Sequence, residues 1–382
     1  MKKIIFLSFT LFFGGFWQVQ AQTTNEAFKP TLKINGRIQY DFEFLKKEKS
    51  TDWFNGNEFR RLHLSIAGRV AKHIKYKVET DFAHASIGFR DVYLKYTAGK
   101  YGNFSLGSVA EPTGLDMLTS SKYIPFFERA MLTSLQNFRW GSGFHYENFK
   151  LLSGKAGFQL AYTNNAVNGD GFKDTNLEKG MNLVVRATGT PIQDIAKHQV
   201  LHVGINFANR PEKDLSFRPE NHMGGKYTYE FEGADTRSEL GFELGTTFGQ
   251  VSVQGEYKTQ SDYASGKDYQ MTSYYAFASY FLTGEYRPYK HGAFGRVKPK
   301  KDIDHGGMGA VEILARYSNM SASDDVIADN VGSAEQVNTI TAGLNWYLNS
   351  HTRFMYNYVL TDDGDEVLGN MTGHLFRFQL DF

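Results

Sequence analysis

The 382-residue sequence carries 42 Lys plus Arg against 41 Asp plus Glu, and it has no cysteine. So even a balance gives no field to draw in nucleic acid, and the absence of thiols excludes disulfides and thiolate metal centres while leaving an oxidising compartment harmless. Phe (32), Tyr (22) and Gly (38) are common and Pro (8) is scarce, a composition that suits aromatic-rich strands joined by turns.

At the amino end, Lys2 and Lys3 precede an apolar run from Ile4 to Trp17, and Val19-Gln20-Ala21 supplies a small-residue cleavage pattern. That order predicts a signal peptide over residues 1–21, removed near Ala21, with residues 22–382 exported through the periplasm. The run is shorter than the roughly 20 helical residues that span a bilayer. No later window approaches that length without charges, so a membrane-spanning form of this chain is a barrel and not a helical bundle.

Residues 32–44 begin a series of predicted strands. Leu32, Ile34, Ile38, Tyr40 and Phe42 share one side and Lys33, Arg37, Asp41 and Glu43 the other, because strand side chains alternate with period two. Residues 61–70 repeat the pattern, and 74–82 and 92–96 follow as hairpin partners. Further strands are predicted near 103–110, 138–146, 156–163, 180–189, 199–208, 238–246, 250–258, 271–281, 309–318, 338–348, 352–360 and 374–382, sixteen in all. In the last, Phe376, Phe378, Leu380 and Phe382 oppose Arg377, Gln379 and Asp381, and an all-apolar face of that kind suits lipid.

Charged faces along nearly every strand, and apolar faces ending in residues such as Tyr40, Tyr96 and Trp346, predict an all-β, 16-stranded antiparallel transmembrane β-barrel in the bacterial outer membrane. A secreted β-sandwich is the competing fold. Connections 71–73, 97–102, 247–249 and 349–351 are short and alternate with longer ones; Leu282–Met308 is a long connection on the short side. Sixteen strands leave an aqueous channel, which predicts passive diffusion of small hydrophilic solutes. Counted by register, thirteen inward bases face ten inward acids, a slight anionic preference.

The segment Glu111–Gln136, with Pro112, Pro125 and Phe126-Phe127, carries enough apolar surface to fold against the inner wall as a constriction, projecting Lys122 and Arg129. The basic run Arg287–Lys301 could attract anions at one mouth, or be no more than a solvated connection, the commoner case for such a run. Two other classes compete with a pore. An outer-membrane enzyme needs a nucleophile with an oriented base, yet G-x-S-x-G is absent and His63, His145 and His202 stand as lone inward histidines, so no catalytic, metal or cofactor site is expected. A binding or adhesin barrel would use loops such as Asn164–Glu178 and Asn319–Asn338, which read as flexible surface segments.

The stretches NGRIQYDF from Asn35, EFRRLHLSIAGRV from Glu58, TSSKYIPFFERAM from Thr119, GEYRPYK from Gly284, FGRVKPKK from Phe294, EILARYS from Glu312 and GLNWYLN from Gly343 occur in an order that resembles the phosphate-selective porin O/P family. The resemblance implies a homotrimer of 16-stranded barrels in outer-membrane lipid, with inward-folded loops and a path for small anions such as phosphate. Arg37, Arg60, Arg61 and Arg129 lie in matching stretches and are carried over as pore-lining, joined by Lys122. A terminal aromatic on the closing strand resembles the signal read by the barrel-assembly machinery, which assigns that role to Phe382. The family's arginine-rich central segment is thin here, with Arg210, Arg218 and Arg237 far apart.

Overall fold

A computed structural model describes residues 28–83, 87–135, 140–165, 180–211, 214–231, 236–264, 267–330, 332–364 and 367–382. The predicted leader (1–21), Arg139 and most of the 164–178 segment lie outside the described residues. The barrel opens with β1 (Thr31–Lys47), β2 (Phe54–Ala71), β3 (Ile74–Asp81), β4 (Gly88–Thr97), β5 (Asn103–Ala110), β6 (Trp140–Leu151), β7 (Ala156–Asn165), β8 (Asn182–Asp194) and β9 (Gln199–Arg210). A short hairpin, β10 (Asp214–Phe217) and β11 (Tyr227–Glu230), precedes β12 (Thr236–Phe248), β13 (Val251–Ala264) and β14 (Lys267–Phe281). A second, β15 (Tyr289–Lys290) and β16 (Ala293–Phe294), precedes β17 (Ala310–Ala322), β18 (Gln336–Tyr347), β19 (Thr352–Asp362) and β20 (Met371–Asp381). All but the two short hairpins pair antiparallel with their neighbours in one closed barrel of sixteen strands, the number predicted.

Closure comes from β20 against β1, with Arg37 opposite Asp381 and Phe42 opposite Phe376. Gly36 and Phe382 exchange two backbone hydrogen bonds at the seam, 3.0 and 3.2 Å. The Phe382 ring lies over Gly36, where an added Cβ would come 2.2 Å from its Cζ, so the glycine leaves the notch that the ring fills. Outside, the alternation presents an apolar surface: Ile34, Leu244 and Ile340 are 59, 51 and 53% exposed, a cost in water that hydrocarbon removes.

Two β-bulges break the period-two rule where it matters. Gln39 pairs with Arg61 and Tyr40 with Phe59, which makes Arg60 the extra residue and turns both consecutive arginines into the lumen. On β4, Val92 pairs with Val78 and Phe89 with Thr80, so Arg90 and Asp91 together oppose Glu79.

The hydrophobic core is inside the barrel and belongs to the inserted loops. After β5 the chain turns inward through α1 (Leu115–Leu118) and α2 (Met131–Leu135), burying Ile124, Phe126, Phe127 and Met131 almost completely. Phe126 docks on Tyr275, Phe277 and Leu314; Phe127 docks on Leu45, Val359 and Leu375. Each buried ring contributes about 2–3 kcal/mol by area. The β10–β11 hairpin covers α2 with Leu215, Phe217, Tyr227 and Tyr229, and α3 (Asp324–Asp329) adds Val326 to the same cluster. The Asn319–Asn338 segment is therefore largely strand and docked helix, not the flexible loop its polar composition suggests.

The connection 282–309 lies at the end that carries the short turns, the periplasmic end of such a barrel. It does not stay in solvent, as its basic run suggests. Phe294 packs with Leu115 and Val200 inside the barrel, and Val297 with Phe281, Ala310 and Tyr347. Arg287 is 2% exposed, stacked on Phe277 and Phe294 at 5.1 and 4.2 Å. Arg296 reaches Asp381 and the Ser350 carbonyl, while Lys290, Lys298, Lys300 and Lys301 remain exposed. The apolar residues between the charges pull the run inward.

Candidate functional site

Among the described residues, loops fill much of the far side of the barrel, and a large open space follows the β1–β4 wall. A cavity of about 1040 Å³ runs there, from Arg218 and Lys226 at the loop end to Asn35 and Ser65 toward the other. Nine Lys or Arg side chains line it against four carboxylates, Glu79, Asp91, Glu128 and Glu220. Arg37, Arg60, Arg61, Lys122 and Arg129, the residues expected to line a path, all border this one space.

Their surroundings differ. Arg37, on β1, donates to the Ser121 hydroxyl and lies 3.5 Å from Glu79. Arg60 and Arg61, both inward through the β2 bulge, reach Glu128 at 2.8 and 3.3 Å. Lys122 Nζ is 3.8 Å from Asp381, and burial together with Arg37 lowers its pKa from the usual lysine value. Arg129 donates to the carbonyls of Asp116, Met117 and Thr119, at 3.0, 3.3 and 2.5 Å, so it braces the loop while bordering the cavity.

Most other inward charges predicted by register never meet the water path. Arg353 donates to the Ile124 carbonyl, Arg377 to Phe127 and Arg316 to Glu128, at 2.9, 2.5 and 3.0 Å. The guanidiniums of Arg316 and Arg377 also lie over the Phe126 and Phe127 rings, at 4.2 and 4.1 Å. Asn357 accepts from the Phe127 amide, and Glu256 accepts from the Leu115 and Asp116 amides at 2.8 and 2.7 Å. Arg186–Glu243, Arg210–Glu111, Arg237–Asp262 and Lys258–Glu239 close as buried pairs. Thirteen bases against ten acids thus misjudges the path, because the loops sequester one half of the barrel.

Glu128 escaped the sequence reading, although it sits in the matching stretch TSSKYIPFFERAM. Arg60, Arg61 and Arg377 converge on its carboxylate, Arg60 through Nε at 2.8 Å and Nη2 at 3.0 Å. Burial alone would raise its pKa; the three guanidiniums outweigh it and hold the group well below the usual carboxylate range. Arg90 was missed because period two assigns it to lipid; a strand with adjacent charged residues was the available signal of a bulge. The histidines are not lone: His63 Nδ1 bonds Glu79 at 2.8 Å with Nε2 3.0 Å from Asp81, and His202 bridges Tyr289 and Glu243. Among the described residues, one set of carboxylates lies close enough for a metal ion, Asp41, Glu43 and Glu58. Arg377, the amides of His222 and Met223, and the His222 ring already engage those three groups.

A closed sixteen-stranded barrel with an apolar exterior, inward-folded loops and a charged cavity along one wall defines an outer-membrane porin. The chain belongs to the family of phosphate-selective porins O and P, which residues 32–382 match. It is similar to Porin O of Pseudomonas aeruginosa, 27% identical over 384 residues that cover 89% of this chain and 84% of that protein. An uncharacterized protein of Caulobacter vibrioides is 26% identical over 87% of this chain and 69% of its own. In fold it is similar to an anion-selective porin from Comamonas acidovorans, with TM-score 0.62, 13% identity and coverage of 93% of this chain and 100% of that one. OmpT of Vibrio cholerae in its trimer form follows at TM-score 0.56, 14% identity, 92% of this chain and 99% of that one.

Proposed function

We propose that this porin passes small anions, phosphate among them, by passive diffusion, with Arg37, Arg60, Arg61, Lys122 and Arg129 along the limiting part of the path. The observation that carries the reading is the nine-to-four excess of basic over acidic side chains along one confined cavity. Arginine keeps its charge at any relevant pH and offers a planar fork of donors that fits oxyanions. Salt screens exposed charges over roughly 8 to 10 Å, whereas low-dielectric walls focus the field of charges inside a narrow channel. The family membership and the fold shared with an anion-selective porin support the same reading. In planar bilayers under a potassium chloride gradient the reversal potential should fall on the chloride side, and added phosphate should reduce the chloride current. A reversal potential at zero or on the potassium side contradicts it.

The working unit in this reading is a homotrimer, as the trimer form of OmpT suggests, and recovery of monomers alone after cross-linking in membranes would count against it. Residues 1–21 act as a leader, so the exported chain should begin at Gln22 on amino-terminal sequencing; a retained leader refutes this. Phe382 serves as the group read by the barrel-assembly machinery, and normal outer-membrane amounts after its deletion would dismiss that role.

A further inference from the structure

Glu128 is out of place in a path for anions. Its side chain is 12% exposed and borders the cavity between Arg60 and Arg61. The two arginines come from consecutive positions of one bulge, and Arg60 Nε and Nη2 and Arg61 Nη2 point at a single carboxylate. Arg377 completes the set at 3.0 Å but is already engaged by both oxygens of Asp41, each at 2.7 Å. Three guanidiniums therefore face two carboxylates, and removal of the Glu128 charge would leave Arg60 Nε and Nη2 and Arg61 Nη2 without a carboxylate beside the water, while Arg61 Nη1 keeps Gln39 at 2.9 Å.

The carboxylate ties the loop to Arg60, Arg61 and Arg377 but is not its only anchor. Six neighbouring anchors use other atoms: the carbonyls of Lys122, Ile124, Pro125, Phe127 and Glu128 accept from Gln379, Arg353, Asn345, Arg377 and Arg316, and the Phe127 amide donates to Asn357. We propose that Glu128 is a tethered counter-anion that occupies the oxyanion-binding position of the constriction, so that the native channel conducts small anions without holding phosphate tightly. A permeant oxyanion meets arginines already neutralised in part and must displace the carboxylate to gain their full donor fork. Because the same arginines keep Glu128 ionised, acidification within the physiological range does not lift the effect.

The inference rests on the anion-channel reading, and one experiment separates the two. Block of chloride current by inorganic phosphate is titrated for the native chain and for Glu128→Gln, reconstituted in planar bilayers, with reversal potentials recorded alongside. Glu128→Gln should bind phosphate about tenfold more tightly or better, the scale of one charge-assisted hydrogen bond. The gain should vanish in the Glu128→Gln, Arg60→Gln double variant, which a merely loosened loop would not do. If Glu128→Gln does not assemble, Glu128→Asp should show a smaller gain, since the shortened chain does not span both arginines. Unchanged or weaker block in an assembled variant, with the native channel anion-selective, overturns the inference; a native channel without anion preference overturns the function reading and this inference with it.

Discussion

Arg60 and Arg61 share a strand and a target because one inserted residue undoes the alternation that would send Arg60 into lipid. Lys122, on the loop that faces them, is held differently: burial and the nearby Arg37 lower its pKa, with Arg296 adding to the effect and Asp381 and Glu79 opposing it. Its ammonium thus gives up its proton at a lower pH than an ordinary lysine, near 10.4, and the path loses a positive charge as pH rises. Anion preference should therefore fall as pH rises toward that value in the native chain and fall less in Lys122→Arg, which remains charged while Lys77 and Lys226 still titrate in both. Reversal potentials measured across that range check this; matching profiles for the two proteins would contradict it.

At the scale of elements, the inward loop depends on a few buried anchors. Glu256 accepts the first two amides of α1, and Glu256→Ala leaves both donors without that partner at about 1–3 kcal/mol each. The loop should then fluctuate, raising open-channel current noise and mean conductance; quiet, native-sized single-channel currents would show that the remaining anchors hold the loop without Glu256. Period two made all sixteen strands legible, and the double phenylalanine made this loop legible, because burial of apolar side chains leaves a pattern in the sequence. The bulges were only faintly legible: an inserted residue leaves the alternation on either side intact and shifts its phase, which shows in the sequence as no more than adjacent charged residues, Arg60-Arg61 and Arg90-Asp91. The 282–309 connection, where basic residues flank Phe294 and Val297 and mask their burial, was not legible, nor was the β10–β11 hairpin, whose four-residue strands are too short to set a period.

For the whole molecule, the wall is low on one side. β3 and β5 have 8 residues and β4 has 10, against 17 and 18 in β1 and β2. Eight residues tilted by about 40° rise about 21 Å, less than an apolar band of about 25 Å. In the proposed homotrimer this is the side that faces a second copy, with Leu94 and Leu106 exposed on it. Leu94→Asp with Leu106→Asp should convert trimers to monomers on cross-linking while the barrel remains folded; intact trimers would place the interface elsewhere. The cavity follows β1–β4 and so overlaps the low wall at β3 and β4. That path is the centre of the account, and charge reversal within it is the most direct test. Arg37→Glu combined with Arg61→Glu leaves the loop brace Arg129 intact, and Lys300→Glu, on the exposed part of the basic run, serves as control. In a potassium chloride gradient the double variant should move the reversal potential toward potassium while Lys300→Glu stays near native; an unmoved reversal potential in the double variant, with conductance intact, would show that these arginines do not line the limiting path.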